Sequence, residues 1–94
     1  MPLDGNSRDV ELGLILSDAA DLIERHGWCQ GRSSDGGRIC AVQAIRQASG
    51  GAPISGVIAY FQHRQRIANT VGWNDADGRT KAEVIAALRG CPAR

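Results

Sequence analysis

Residues 8–27, which read RDVELGLILSDAADLIERHG, indicate a helical fold. Their apolar side chains recur at steps of three and four residues, the spacing that forms one stripe along an amphipathic helix. Gly27 is suited to end that helix, and Arg25 and His26 suit the negative end of its dipole. The pattern predicts a first helix from about Arg8 to His26. Its apolar stripe consists of Leu12, Ile15, Leu16, Ala19, Leu22 and Ile23.

Three more helices are indicated further along the chain. An Ala-rich apolar face predicts a second helix from about Ile39 to Ser49, ended by Gly50-Gly51. Pro53 suits a first helical position, and the pattern after it predicts a third helix that runs to about Asn69. Thr80-Lys81-Ala82-Glu83 is a capping box, so it predicts the start of a fourth helix, which ends at Arg89-Gly90.

The segment between the first two helices, from Trp28 to Arg38, is predicted to be a loop. It contains Asp35-Gly36-Gly37, which is strong turn chemistry because Asp-Gly and Gly-Gly pairs permit positive φ angles. A minimal β-hairpin fits here, joining Trp28-Cys29-Gln30 to Arg38-Ile39-Cys40 through strands of about three residues.

Both tryptophans are predicted to lie in loops, where helical periodicity does not place them. Trp28 lies in a first polar cassette, residues 27–31 (GWCQG), and Trp73 opens a second, residues 73–80 (WNDADGRT). Turn and capping chemistry accounts for most residues of both cassettes, and each tryptophan can bury a large apolar area. We therefore expect the cassettes to be structural, pinning loops onto a helical core.

These elements predict an all-α or mainly α fold. Ninety-four residues form one domain, and its 43% hydrophobic content is ordinary for a globular protein. We expect a compact four-helix domain over residues 1–94, with room for the hairpin between helices one and two. Residues 1–7 are expected to be flexible, and residues 91–94 to form a fraying tail.

Charge and cysteine content exclude several classes of protein. The net charge of +1 provides no general attraction to nucleic acid or to an anionic membrane. The apolar runs are too short to span a bilayer, and the acidic N-terminus does not resemble a secretory signal. Three cysteines leave one without a partner and match no disulfide framework, so a reduced, cytoplasmic protein without membrane insertion is expected.

The cassettes and their surroundings also carry a resemblance. The motifs GWCQG (27–31), GRIC (37–40), WND (73–75) and GRTKAEV (78–84) together resemble a family of small helical proteins of unknown function from actinobacteria and their phages. The resemblance covers roughly residues 12 to 90. It implies a compact helical cytoplasmic domain of actinobacterial or phage origin, and it transfers no activity and no catalytic residues.

One set of residues suggests an enzyme. Cys40 stands at a helix N-terminus, where the helix dipole favours a thiolate, while His63 is a candidate base and Asn74 or Asp75 could orient it. Cys40, His63 and Asp75 in this order resemble the arrangement of a cysteine hydrolase. Such enzymes present the histidine from a sheet, and the sequence predicts no sheet that could do this. A small Cys-His-Asp hydrolase is therefore kept only as the alternative.

The sequence gives less support to a metal site, a cofactor site or nucleic-acid binding. The His and Cys residues lack the paired spacing of zinc ligands, and no cofactor motif is present, so neither is predicted. His63-Arg64-Gln65-Arg66 forms a basic run on the third helix. The first turns of that helix lack residues that read base edges, so a DNA-binding helical regulator is only the second alternative.

The third helix instead favours a protein-binding surface. This helix carries aromatic, basic and apolar side chains of the kind found in interface hot spots: Tyr60, His63, Arg64 and Ile67. Trp28 and Arg38 are also predicted to contact the partner. We expect a non-enzymatic interaction module that binds and modulates a host cytoplasmic protein. An acidic coiled coil would suit the arginines, and a homodimer across a two-fold axis is the other arrangement considered.

Overall fold

A computed structural model of the protein describes residues 4–90, with side chains described from Asp9 onward. Its first helix, α1, spans Asp4–His26 and so begins one turn before the predicted start. The core-facing side of α1 carries Leu16, Ala19, Ala20 and Ile23, all buried. The helix ends where expected: Gly27 has a φ of 96°, and its N–H donates to the carbonyl of Ile23 at 2.8 Å.

The predicted hairpin exists, but with a different strand. Strands β1 (Ser34–Asp35) and β2 (Arg38–Ile39) pair antiparallel, and Gly36 and Gly37 between them both have positive φ angles. A two-residue turn fixes the register of its hairpin, so β2 must pair with the residues directly before the turn. Trp28 makes only an isolated parallel bridge to Ile39, so the predicted partner strand 28–30 is wrong.

Two helices follow the hairpin. Helix α2 spans Ala41–Ala48 and is capped by Cys40, whose Sγ accepts from the N–H of Gln43 at 3.4 Å. Helix α3 spans Ser55–Gln65, which is shorter at both ends than the predicted third helix. Arg66 ends it in a left-handed conformation, with φ 57° and ψ 46°.

A short helix that was not predicted comes next. Helix α4 spans Thr70–Asn74, and the side chain of Asn69 caps it by accepting from the N–H of Gly72 at 2.7 Å. The Oε1 of Gln62 accepts from both the N–H and the hydroxyl of Thr70 at 2.9 Å. These two bonds connect α3 to the first residue of α4. Trp73 belongs to α4, so its predicted place in a loop is wrong. The prediction that the third helix runs on to Asn69 is also wrong, because α3 ends at Gln65.

Helix α5 spans Lys81–Leu88, and both halves of the predicted capping box between Thr80 and Glu83 are present. Among residues 4–90 there are thus five helices and one small hairpin, so the fold is mainly helical as predicted, with one helix more than expected. Of residues 1–7, which were expected to be flexible, residues 4–7 belong to α1, and residues 1–3 lie outside the described residues, as does the expected fraying tail, residues 91–94.

Helix α1 is the element around which the others pack. It contacts α2, α3, α5 and β2. The core between these elements is made of aliphatic side chains and Phe61. Within the described range, no helix is both long and apolar enough to cross a membrane. The buried core residues are Leu16, Ala19, Ala20, Ile23, Ile39, Ala41, Ala44, Ile45, Val57, Phe61, Val84, Ala87 and Leu88.

Candidate functional site

The two tryptophan cassettes meet at the side chain of Asn74, which is 1% exposed. Its Oδ1 accepts from the indole N–H of Trp28 at 2.7 Å and from the N–H of Ala41 at 3.0 Å. Its Nδ2 donates to the carbonyl of Cys29 at 3.1 Å and to Asp75 Oδ1 at 2.9 Å. All four hydrogen-bonding positions of the amide are therefore used, which suits a buried structural residue.

Contacts on either side of Asn74 extend this junction. The Gln30 amide donates to the carbonyls of Asn74 and Ala76, each at 3.0 Å. The N–H of Gly31 donates to Asp75 Oδ1 at 2.9 Å. This bond has the larger effect on the pKa of Asp75, and the bond from Asn74 the next. Both lower the pKa below its ordinary value, because both favour the carboxylate.

Trp73 attaches the second cassette to the core. Its ring meets Phe61 edge to face, with centroids 5.5 Å apart. The guanidinium of Arg79 also lies over the Trp73 ring, 4.5 Å from its centroid, and Arg79 Nε donates to the Trp73 carbonyl at 2.9 Å. Both tryptophans are thus engaged within the molecule, as their structural interpretation predicted, and each is only half-buried.

The residues of the alternative hydrolase are divided between two places. Cys40 and Asp75 line one cleft of about 290 Å³, together with Arg46 and Val71. The described residues that line this cleft include no histidine, and His63 lines a different groove, on α3. Cys40 is 8% exposed, and its Sγ already accepts from the Gln43 N–H.

The neighbouring thiol, Cys29, is unsuited to nucleophilic chemistry. Burial raises the pKa of Cys29, and the nearby Cys40 raises it further. Its Sγ lies within hydrogen-bonding distance of the carbonyls of Arg32 and Arg38. Across residues 9–90 no cluster of three His, Cys, Asp or Glu side chains is arranged to hold a metal ion, and Cys91 falls outside that range.

The predicted partner-binding residues of the third helix do come together. Tyr60 and Arg64 lie one turn apart on α3, and Arg64 Nη1 donates to the Tyr60 hydroxyl at 2.7 Å. His63, Arg64 and Ile67 line an open groove of about 660 Å³, with Arg66. Tyr60, His63, Arg64, Arg66 and Ile67 are called the α3 surface below. Arg66 and Ile67 follow the end of the helix, so they extend this surface beyond α3 itself.

Trp28 and Arg38 do not line this groove. Arg38 belongs to β2, where it forms an exposed ion pair with Asp35 at 2.7 Å, and its aliphatic stem lies against Gly27. Trp28 is held at the junction with Asn74. The structure therefore places the six predicted partner-binding residues at two locations.

The arginines of the α3 surface have no acidic neighbour in an ion pair among the side chains that the structure describes. Arg38, Arg79 and Arg89 form ion pairs with acidic side chains, whereas among the described residues no acidic side chain pairs with Arg64 or Arg66. A basic surface with partly exposed Tyr60 and Ile67 can pair with carboxylates around an apolar centre.

Sequence interpretation missed two exposed side chains on α1, Val10 and Leu14, which are 59% and 61% exposed. They do not belong to the predicted apolar stripe. The signal that would have identified them is their position on the helical wheel, since about 2.5 turns separate Leu14 from the buried Ile23 and put the two on opposite faces.

Comparison with known proteins gives one match. A family model described as "Family of unknown function (DUF6197)" matches residues 7–94, nearly the whole chain. Neither the curated proteins nor the solved structures contain a match to the chain.

Proposed function

Because the chain belongs to the DUF6197 family, whose function is unknown, we propose a function from its surface: a non-enzymatic module that binds another protein. The binding region is the α3 surface. The observation that carries this proposal is the pair of arginines, Arg64 and Arg66, that stand beside Tyr60 and Ile67 without an acidic partner among the described residues. The partner supplies carboxylates around an apolar centre, as an acidic amphipathic helix or coiled coil does.

The biological setting is part of the same proposal. The partner is a cytoplasmic host protein whose activity changes on binding, and the module is encoded by an actinobacterium or by one of its phages. The motif resemblance and the lack of a disulfide framework support this setting. Trp28 and Arg38 serve as a separate contact region at the hairpin.

The test is an affinity capture from actinobacterial lysate with the tagged protein and the Arg64→Glu variant. Lys81→Glu is the matched control, because it makes the same charge change at an exposed position at the start of α5. We expect a protein that the parent and the control retain and that Arg64→Glu loses by at least about tenfold, the loss that reversal of one interfacial charge typically causes. The enriched protein is then purified and titrated directly against all three.

The proposal is contradicted if the Arg64→Glu variant retains the captured protein as well as the parent does. Thermal melts of all three proteins establish that each is folded.

Cys40→Ala tests the alternative hydrolase, for which the support is the shared cleft of Cys40 and Asp75. An interaction module keeps its partner when Cys40 is replaced, whereas a hydrolase loses its activity.

A further inference from the structure

The exposed apolar residues of α1 form a ridge with an acidic border. Val10 and Leu14 lie one turn apart on the solvent side of the helix, and more than half of each side chain is exposed. Glu11 and Asp18 border them and are also exposed. Val10, Leu14, Glu11 and Asp18 are called the α1 ridge below. Among the described residues, no cation pairs with Glu11 or Asp18, whereas Asp21 and Glu24 further along the helix both pair with Arg89.

The α1 ridge and the α3 surface have opposite character. The ridge offers exposed aliphatic side chains with carboxylates beside them, and the α3 surface offers Ile67 and Tyr60 with guanidinium groups beside them. The ridge therefore presents the combination of apolar and acidic side chains for which the α3 surface is suited.

The two regions lie side by side on the molecule. Gly13, which lies between Val10 and Leu14 on α1, lines a cleft of about 160 Å³ together with Tyr60 and Arg64 of α3. A Cβ atom added at Gly13 would meet nothing within 4 Å, so the backbone of α1 is open to close approach there. The face of the protein that holds this cleft, which Arg89 also lines, thus carries the segment of α1 with the ridge beside the basic, aromatic α3 surface.

We propose that a second copy of this chain occupies that face, forming a two-fold dimer in which the α1 ridge of each protomer lies on the α3 surface of the other. A two-fold axis applies both contacts at once, because residue i meets residue j and j meets i. The inference rests on the proposed function, since it assigns an occupant to the same α3 surface.

The charges favour pairing of ridge with α3 surface over the two dimers in which a region would meet its own copy. A dimer through two α1 ridges would place Glu11 and Asp18 of one protomer against those of its partner. A dimer through two α3 surfaces would place Arg64 and Arg66 against their own copies. Like charges facing each other across an interface are unfavourable, so only the pairing of ridge with α3 surface matches opposite charges throughout.

Two charge-reversal variants test the proposal by sedimentation velocity of the full chain. One carries Arg64→Glu and Arg66→Glu, and the other carries Glu11→Arg and Asp18→Arg. We expect the parent to dimerise, more weakly as salt is raised. Each variant alone should dimerise at least about tenfold more weakly, because both of its contacts bring like charges together.

An equimolar mixture of the two variants should dimerise like the parent. In the mixed dimer, the reversed ridge of one variant meets the reversed surface of the other, and the two unreversed regions also meet. Asp77→Arg with Lys81→Glu is a control that reverses two exposed charges outside both regions, leaves the net charge unchanged and should dimerise like the parent. A parent that stays monomeric at millimolar concentration, or a mixture that stays monomeric when the parent dimerises, overturns the proposal.

Leu14→Glu separates this inference from the proposed function. Leu14 belongs to the ridge alone, so its replacement should abolish the dimer and leave the α3 surface free to bind its partner. A monomeric parent that still loses its captured protein through Arg64→Glu defeats the dimer and supports the proposed function. A dimer that passes the mixing test, in a protein that captures nothing in an Arg64-dependent way, supports the dimer and defeats the proposed function.

Discussion

The indole N–H of Trp28 donates to Asn74 Oδ1 at 2.7 Å, and this bond joins residues 46 positions apart in the sequence. The same oxygen accepts from the N–H of Ala41, so one amide connects the first cassette, the start of α2 and the end of α4. These contacts are inside the protein, where a polar group without a partner is costly. The arrangement of both cassettes therefore depends on Asn74.

We expect Asn74→Ala to destabilise the protein by roughly 3 kcal/mol, because it leaves several buried donors and acceptors without partners. Asn69→Ala is the matched control. Asn69 is exposed and caps α4, and the loss of such a cap costs about 1 kcal/mol. Urea denaturation of the parent and both variants measures the two free energies of unfolding. Equal losses for the two variants would show that the buried junction is not a special source of stability.

The second prediction concerns two glycines of the first cassette, Gly27 and Gly31. Both have positive φ angles, 96° and 79°, so alanine is strained at either site by about 1 kcal/mol. At Gly27 a Cβ would also lie 2.8 Å from Arg38 Cγ, whereas at Gly31 nothing lies within 4 Å. Gly27→Ala should therefore lower the free energy of unfolding more than Gly31→Ala, which a comparison of urea midpoints will show. A larger effect at Gly31 would mean that the contact with Arg38 does not constrain the helix end.

The third prediction is a pH dependence of stability that arises from Asp75. Hydrogen bonds from the Gly31 N–H and then from Asn74 lower the pKa of Asp75 in the folded protein from an ordinary value of 3.8. The resulting stabilisation is fully present above that ordinary value and is lost as the pH falls through the lowered one. Asp75→Asn removes this titration. Its free energy of unfolding should fall less than that of the parent as the pH is lowered below about 4.5, as followed by urea titrations at several pH values. Parallel curves for the two proteins would exclude Asp75 as a source of acid sensitivity.

The fourth prediction is a stabilising substitution, Gly13→Ala. Gly13 lies inside α1, and an added Cβ would contact nothing within 4 Å. Alanine in an unstrained helical position is more favourable than glycine by about 0.5–1 kcal/mol, because it restricts the unfolded chain. The thermal midpoint should rise accordingly. The midpoint is measured at a concentration where the chain is monomeric, and a fall there would contradict an unstrained helical Gly13 with open space beside it.

The parts of the fold that were predicted correctly are those with local signals. The apolar stripe of α1, Gly27 at its end and the capping box at Thr80 each involve residues within a few positions of one another. The break between α3 and α4 was missed because neither glycine nor proline marks it. Arg66 adopts its left-handed conformation in a segment where Gln62 and Asn69 contact the backbone of the next helix, and residue type did not reveal those contacts.

The candidate site was predictable to a similar degree. The one-turn spacing of Tyr60 and Arg64 was enough to put them on one side of a helix, and the structure joins them by a hydrogen bond. The cassettes were expected to be structural, but the residues that join them were not identified, because Trp28, Cys29 and Ala41 lie more than thirty positions from Asn74 in the sequence. Such pairings depend on how α2 and α4 pack, which periodicity does not determine.

The long sequence separation between Trp28 and Asn74 also affects the order in which the chain folds. Closing so large a loop costs entropy before any contact compensates for it, so the junction is expected to form late. Substitutions at Asn74 should then speed unfolding and leave the refolding rate nearly unchanged in stopped-flow experiments. During synthesis, α1 and the hairpin emerge from the ribosome well before Asn74 does. Until Asn74 emerges, the indole N–H of Trp28 donates to water, and the first cassette is held only by its own short-range contacts.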